Sequence, residues 1–494
     1  MPLRHHLIVF FYGVFVFLLF LDNGTTLTRH EVLAAEPARE MLDTDAPWAV
    51  QPFAGEYRTA KPPTISWMIA ACMDVLRSRS PYACRLPAAL AAILIAHAVG
   101  HVANRFYGTP AGLLAGLATL TTYWLQLYGR LGQADVPMIA AITVAMAALS
   151  HLLPARERGG TLLKAPLMEE SSRYLSPGQL RWVAVAFWAA TGASFLIKGV
   201  GPLVTLPAAV TYGLWSRDPR VWRVLRSPVG LGVFAIFLLA WPIAAVATYP
   251  PIWHDWLRQT VGRVGGNVER QVTPTAASYL VGLPSYLYQS PVLLLPMTPA
   301  VLIAMWAARR RWRTSPAARL LICWVAPFGV LITLSAWRNQ HYVMPLLPAA
   351  SVAAAAGTLI WARRMSRPQW ARPLLTGWFA ACAVGALVAQ AIIGPRSDSF
   401  RPFADLARRA NDLAPAGTPV RLIGLGEAQV AFYLETIPQR IDDPAKTPTD
   451  QTLIALCERN TLPKLTATHR VEELGKASRP RGKPEDELVL VRIN

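Results

Sequence analysis

Charge is scarce in this chain of 494 residues: 16% of positions are Asp, Glu, Lys or Arg, and 53% are hydrophobic. Soluble domains carry about 25% charged residues. The deficit excludes an ordinary soluble domain and points to a polytopic α-helical membrane protein. Negative charge is the scarcer sign, with 29 acidic residues against 48 basic ones and a formal net charge of +19. Cysteine is scarce too. Cys72, Cys84, Cys323, Cys382 and Cys457 form no CxxC pair and no His/Cys cluster, so a zinc or dithiol redox motif has no support. Cys72 and Cys84 could pair only if their segment faced an oxidising compartment. A phosphate-cradling glycine loop is missing: Gly424-Leu425-Gly426 lacks a third glycine at dinucleotide spacing and reads as a strand-end turn. A signal-peptide cleavage pattern is missing where one belongs, because "VLAAEPA" lies too far beyond the first apolar run. That run is expected to stay as a membrane span.

Long apolar runs are what the sequence has instead. Eleven segments are long enough to cross a bilayer, at 7–22, 84–104, 110–128, 135–153, 181–198, 200–216, 228–248, 291–308, 319–336, 342–361 and 374–394. Orientation follows from Lys and Arg in the short loops. The basic loops are 154–181, 216–228 (Arg217, Arg220, Arg223, Arg226), 309–319 and 362–372 (Arg363, Arg364, Arg367, Arg372). With eleven spans and a cytoplasmic N-terminus, all four fall on the cytoplasmic side. The positive charge is then topology and contact with anionic lipid headgroups, not nucleic-acid binding. Segments 23–83, 249–290 and 395–494 are left outside. Residues 1–394 read as the membrane domain. The tail, 395–494, reads as a small extracytoplasmic α/β domain: an amphipathic helix, a turn, a short buried strand and a helix, closing on a strand at 487–493.

The first outer segment is dense in ionisable groups. "EVLAAEPAREML" (Glu31 to Leu42) has the pattern of a helix lying in the membrane interface, and "PPTISWMIAACMDVL" (62–76) that of a second. Further charged or polar residues stand at outer span ends and in the other outer loop: Arg130 and Asp135, Lys198, Glu269 and Arg270, and Arg338 with His341 and Tyr342. Charge at membrane depth is costly and usually faces a cavity. The set suggests an extracytoplasmic cavity with carboxylates for an acceptor and cations for a phosphate. Solvated interfacial charge, with snorkelling side chains, is the plainer account of each residue taken singly.

These residues carry a family likeness. The series "EVLAAEPAREML…W…P…G…Y…KPP…W" resembles the first outer loop of the dolichyl-phosphate-mannose-protein mannosyltransferase-like family, glycosyltransferase family 39. Bacterial aminoarabinose transferases acting on lipid A share its superfamily. "RLPAAL" (85–90), "ADVPM" (134–138), "FLIKGVGPLV" (195–204) and "HYVMPLLPA" (341–349) look like further blocks in the family's order. The resemblance implies a GT-C fold and a polyprenyl-phosphate sugar donor. It also implies a hydroxyl acceptor on a lipid, glycan or protein, and inverting transfer at the outer face of a bacterial inner membrane.

The resemblance also assigns residues. Glu31 matches the acidic position of the loop, Arg39 and Glu40 match "REM", and Lys61 matches the lysine of "KPP". Asp135, Lys198 and Tyr342 match later positions. Catalysis is thus expected of Glu31, His30 and Asp135, and donor-phosphate or substrate contact of Lys61, Arg39, Lys198, Tyr57, His341 and Tyr342, with Arg39 bracing the carboxylates. No residue set is assigned to a metal or other cofactor. The family usually shows Asp-Glu where this chain has His30-Glu31, and an acid where it has Ala60. Proton abstraction therefore falls to His30, whose side-chain type titrates near neutral pH, or to Glu31, or the site is degenerate. A flippase of polyprenyl-linked glycans is the competing class, but it would place ionisable groups near the bilayer midplane on broken helices. An oligosaccharide polymerase or ligase would rest on arginines in two large outer loops.

Overall fold

The computed structural model describes residues 1–153, 175–257, 280, 284–310, 312–335, 339–425, 430–448, 452–478 and 487–494. Glu269, Arg270, Arg338, Gly426 and most of the first basic loop lie outside the described residues. The chain divides into two compact units. One comprises Met1–Leu19, Ala88–Ala247 and Trp253–Leu387; the other comprises Phe20–Pro87, Thr248–Ile252 and Val388–Asn494.

The first unit is helical. Its elements include α1 (Leu3–Phe17), whereas α2 (Arg29–Asp43) and α3 (Thr64–Leu76) belong to the second unit; then come α4 (Pro81–Tyr107), α5 (Asp135–Ser150) and α6 (Pro177–Lys198). Each of the eleven apolar segments expected from the sequence overlaps helix among the described residues, but 7–22 outlasts α1, and 110–128 and 291–308 are each broken into two helices. Among the described residues, six helices are long and apolar enough to cross a membrane alone. These are Pro81–Tyr107, Pro177–Lys198, Pro228–Thr248, Pro316–Leu334, Gln340–Arg364 and Pro368–Arg396. A seventh span arises if Ser285–Leu293 and Thr298–Ala308, bent by 116°, are counted as one. The protein is a multi-pass membrane protein. The break expected at 199–202 is present. α6 stops at Lys198, Gly199 takes φ +75°, and the next helix starts at Pro202; a residue without Cβ takes that backbone conformation with no steric penalty. Small residues let helices close on each other. A Cβ on Gly357 would lie 1.8 Å from the Ala300 carbonyl oxygen.

The second unit holds both sheets. β1 (Gln51–Phe53) and β2 (Glu56–Arg58) form an antiparallel hairpin. After α7 (Arg401–Leu413) come β3 (Arg421–Ile423), β4 (Gln439–Ile441), β5 (Leu453–Glu458), β6 (Val471–Ala477) and β7 (Leu488–Ile493). They make a mixed sheet of order β4-β3-β5-β7-β6. β3 runs parallel to β4 and β5, and β7 antiparallel to β5 and β6. Among the described residues between β3 and β4, a 3-10 turn at Ala431–Tyr433 stands where a helix is expected.

Alternation fixes the two faces of the sheet. Leu488 and Leu490 pack with Phe403, Leu406 and Ala410 of α7, whereas Val489, Val491 and Ile493 pack with Leu462 and Leu465. The α7 side of this core is completed by Leu33 of α2 and by Phe53 and Ala54 of the hairpin. The outer segment after the first apolar run and the C-terminal sheet therefore share one hydrophobic core. Their pairing is not visible in the sequence, because about 310 residues, 84–394, separate them. All five cysteines are free thiols, Cys72 and Cys84 included.

Candidate active site

In the second unit the segment entering α2 is fastened at several points. Thr26 donates from its backbone and its hydroxyl to the two oxygens of Asp398, at 2.8 and 2.7 Å. The Leu27 amide donates to the Tyr433 hydroxyl. Glu31, in the first turn of α2, uses both carboxylate oxygens. Oε2 accepts from the Thr28 amide at 2.8 Å, the returning half of a capping box. Oε1 accepts from Arg85 Nε at 2.9 Å. The same guanidinium donates to the carbonyls of Leu21 and Thr26 and to Thr25 Oγ1. His30, one residue earlier on that turn, is exposed.

α2 is not half solvated, as its interfacial pattern suggests. Every residue from Glu31 to Met41 is buried, acids included. Buried charge persists where it is paired and hydrogen-bonded. Arg39 accordingly donates to Glu36 Oε1 at 2.6 Å and to the carbonyls of Leu434 and Ala431. Glu40 Oε1 accepts from the Ala54 amide at 2.5 Å. Burial, and then the charge of Glu36, pushes the Glu40 carboxyl up to about 8; burial also raises Glu36. Arg39 thus braces a carboxylate and ties α2 to the 3-10 turn between β3 and β4.

Lys61 is exposed on the link between β2 and α3. Gln51 ties both ends of that link. Its Oε1 accepts from Arg58 Nη1 at 2.9 Å, and its Nε2 donates to Ser66 Oγ at 3.2 Å. Tyr57 on β2 is 40% exposed, and its ring stands 5.1 Å from that of Tyr249. A cavity of about 560 Å³ at the end of α3 is lined by Asp43, Met73, Asp74, Arg77, Ser78 and Arg79. None of the expected site residues lines it.

In the helical unit Asp135, at the start of α5, pairs with Lys198, the last residue of α6. Both side chains are partly open to solvent. Arg130 serves the backbone instead, donating to the carbonyls of Val16, Phe17 and Leu19 at 2.7, 3.0 and 2.9 Å and so satisfying the end of α1. His341 and Tyr342 lie edge to face on a 3-10 turn, and Asn339 donates to the Tyr342 hydroxyl at 3.3 Å.

The structure therefore brings together Asp135 with Lys198, and His341 with Tyr342, in one unit. In the other it gathers His30 and Glu31 on one turn and Arg39 with Glu40, while Tyr57 stands on β2 and Lys61 on the link that follows it. Sequence reasoning missed Arg85, Glu36, Gln51 and Tyr433 as partners. Arg85 offered a signal as an arginine inside an apolar segment, in the block "RLPAAL". Glu36 offered another, three residues before Arg39, where helical side chains meet. Among the described residues no group of three or more His, Cys, Asp or Glu stands ready to hold a metal ion.

Comparison with known proteins agrees with the family blocks. Residues 60–168 match the family described as dolichyl-phosphate-mannose-protein mannosyltransferase. The chain is 25% identical over 399 residues to the undecaprenyl phosphate-alpha-4-amino-4-deoxy-L-arabinose arabinosyl transferase 1 of Sodalis glossinidius (strain morsitans). It is 25% identical over 354 residues to the corresponding transferase of Pseudomonas aeruginosa (strain LESB58). These matches take in 77% and 70% of this chain but only 63% and 58% of the relatives' own length. In fold, the chain is similar to ArnT from Cupriavidus metallidurans bound to undecaprenyl phosphate. The TM-score is 0.76 at 18% identity, covering 98% of this chain and 97% of that one. An oligosaccharyltransferase of Archaeoglobus fulgidus, AglB, in complex with an inhibitory peptide and a dolichol-phosphate, is more distant, with a TM-score of 0.54 at 12% identity over 93% of this chain and 69% of that one. The resemblance read from the sequence is borne out, and the fold is the GT-C fold of the aminoarabinose transferase-like proteins.

Proposed function

We propose that this protein is a membrane glycosyltransferase that moves a hexose or pentose from a polyprenyl-phosphate donor to a hydroxyl of a lipid, glycan or protein, inverting the anomeric carbon. One observation carries the reading. The 60–168 family match contains both Lys61 and Asp135, on a fold shared over 98% of the chain with a protein bound to undecaprenyl phosphate. In the reaction the acceptor oxygen attacks the anomeric carbon, a base takes its proton, and the carbon–oxygen bond to the phosphate breaks. The leaving phosphate gains charge, so a cation held near it lowers the barrier. Lys61, exposed on a short tied link, suits that role. Lys198 is the second candidate, since its partner Asp135 can yield it to a phosphate. Tyr57, His341 and Tyr342 are proposed substrate contacts.

The base is assigned to His30. Glu31 spends its oxygens on Arg85 and the Thr28 amide, whereas His30 is exposed on the same turn and an imidazole accepts protons near neutral pH. A general base contributes about 10²–10⁴ in rate. The basic loops support a cytoplasmic N-terminus, with the unit of α2 and the C-terminal sheet, tail 395–494 included, on the periplasmic side of a bacterial inner membrane. His30 and Ala60, standing where the family resemblance leads one to expect acids, favour a second reading: a catalytically degenerate relative or a flippase of polyprenyl-linked glycans.

Mass spectrometry of lipids, glycans and glycoproteins from a deletion strain separates the two. Loss of one sugar, restored by the wild-type chain but not by His30→Ala, supports the transferase and its base. An unchanged sugar inventory sinks the transferase reading.

A further inference from the structure

We propose that Glu40 is a positioning residue for the donor phosphate: by holding the Ala54-Gly55 turn it fixes the strand that runs into Lys61. The inference rests on the role given to Lys61 above. The hairpin register, Gln51 opposite Arg58 and Phe53 opposite Glu56, leaves a two-residue turn. Both turn residues take positive φ, +54° at Ala54 and +81° at Gly55. That geometry matches the twist of a hairpin, and it suits glycine, asparagine or aspartate. Ala54 carries a Cβ there, in a region that L residues avoid. Something outside the hairpin must hold it.

Glu40 does so from beneath. Its carboxyl is 3% exposed and accepts from the Ala54 amide at 2.5 Å, and the Gly55 amide bonds the same carboxyl. Glu36 lies fully buried beside it, tied to Arg39, so the holding group is itself fixed from behind. Only a short link separates the end of β2 from Lys61. Gln51, 2% exposed, clamps Arg58 on one side of Lys61 and Ser66 and the Pro62 carbonyl on the other. Release of the turn would leave β2 paired at its base alone, and the lysine would lose its fixed approach. A cation that must meet a phosphate at a set distance is sensitive to that loss.

The experiment measures undecaprenyl phosphate binding to the full-length protein in detergent, with a melting temperature recorded for every variant so that affinity refers to folded protein. Lys61→Ala is expected to weaken binding about tenfold or more, as one lost charge-assisted contact does. Glu40→Ala is expected to weaken it about five- to tenfold, and Glu40→Gln, which keeps an acceptor oxygen for the turn, to restore it to within about twofold. Gly55→Val strains the same turn from its own side while leaving Glu36, Arg39 and Glu40 unsubstituted, and it decides the matter if Glu40→Ala does not fold. Folded Glu40→Ala or Gly55→Val protein that binds like the wild type, while Lys61→Ala is weakened, overturns the positioning role. Lys61→Ala that binds like the wild type removes the phosphate role of Lys61 itself, whatever the turn variants do.

Discussion

Two ion pairs, one in each unit, use the same chemistry to opposite ends. In Glu31–Arg85 the side chains are 0% and 5% exposed, and in Asp135–Lys198 they are 13% and 18% exposed. The first is committed to the fold: the carboxylate has the guanidinium and a backbone amide, and the guanidinium has three further oxygens. Nothing in it is left to offer a substrate without uncovering a buried charge. The second stands partly in solvent at the ends of two helices, where a partner can be exchanged at small cost. A charge within a family block is therefore no guide to chemistry until the demands already made on it are known.

The comparison can be broken at its strongest point first. Arg85→Ala leaves Glu31 buried without its cation, and the expected loss is about 3–5 kcal/mol of stability. Thermal melting of purified protein, or its yield from membranes, reads this directly; a melting temperature near that of the wild type would mean that Glu31 is not held as described. Next comes the open pair. Lys198→Ala and Asp135→Asn are expected to melt within a few degrees of wild type but to lower sugar transfer by about 10²-fold, the scale of a lost electrostatic contact to the reacting group. A large drop in melting temperature with transfer per folded molecule unchanged would make this pair structural as well.

The neighbouring residues on α2 sharpen the same contrast. His30→Ala is expected to lower the transfer rate with donor binding intact, whereas Glu31→Ala lowers the amount of folded protein. Equal, near-normal rates and yields for both would remove the base from this turn.

A smaller effect belongs to Glu40. Its carboxyl titrates at about 8 in the fold, against an ordinary value of 4.5. Between those values the folded form binds more protons than the unfolded chain, so its stabilising contribution is complete below pH 4.5 and is lost as pH rises through about 8. Melting curves should shift downward over that window, and Glu40→Gln should flatten the shift. The smallest effect is expected at the solvent-exposed pair Arg459–Glu473, where Glu473→Gln should change stability by about 0–1 kcal/mol, read by the same melts.

The membrane part was legible in the sequence because a helix in lipid satisfies its own backbone, so length and apolarity suffice to mark it. Every expected segment overlaps helix among the described residues, though not over its whole length, and the break at Gly199 falls where it was expected. The strand at 487–493 and the amphipathic helix at 401–413 were legible from their periodicity. The partners of these elements were not. Glu31 and Arg85 are 54 residues apart, and Leu33 meets Phe403 only because the fold brings them into one core. Periodicity reports which face of an element is buried, not against what. The burial of Glu36 and Glu40 was hidden for a related reason: acids on an amphipathic helix read as its wet face unless their partners are known. The matched family segment begins at Ala60, so the turn carrying His30 lies outside it, and there the sequence departs from the Asp-Glu that the resemblance leads one to expect.

The order of the C-terminal sheet has a consequence for biogenesis. β6 pairs with β7 alone, and β7 sits between β5 and β6. As the ribosome extends the chain, β3, β4 and β5 can assemble early, but β6 emerges before its partner exists. If this unit is exported, β6 crosses the membrane as an unpaired edge, a state prone to pairing with the wrong strand. Correct assembly then depends on how soon residues 488–493 follow, which makes the pace of translocation, and not only the stability of the finished sheet, a determinant of how much protein reaches its working form.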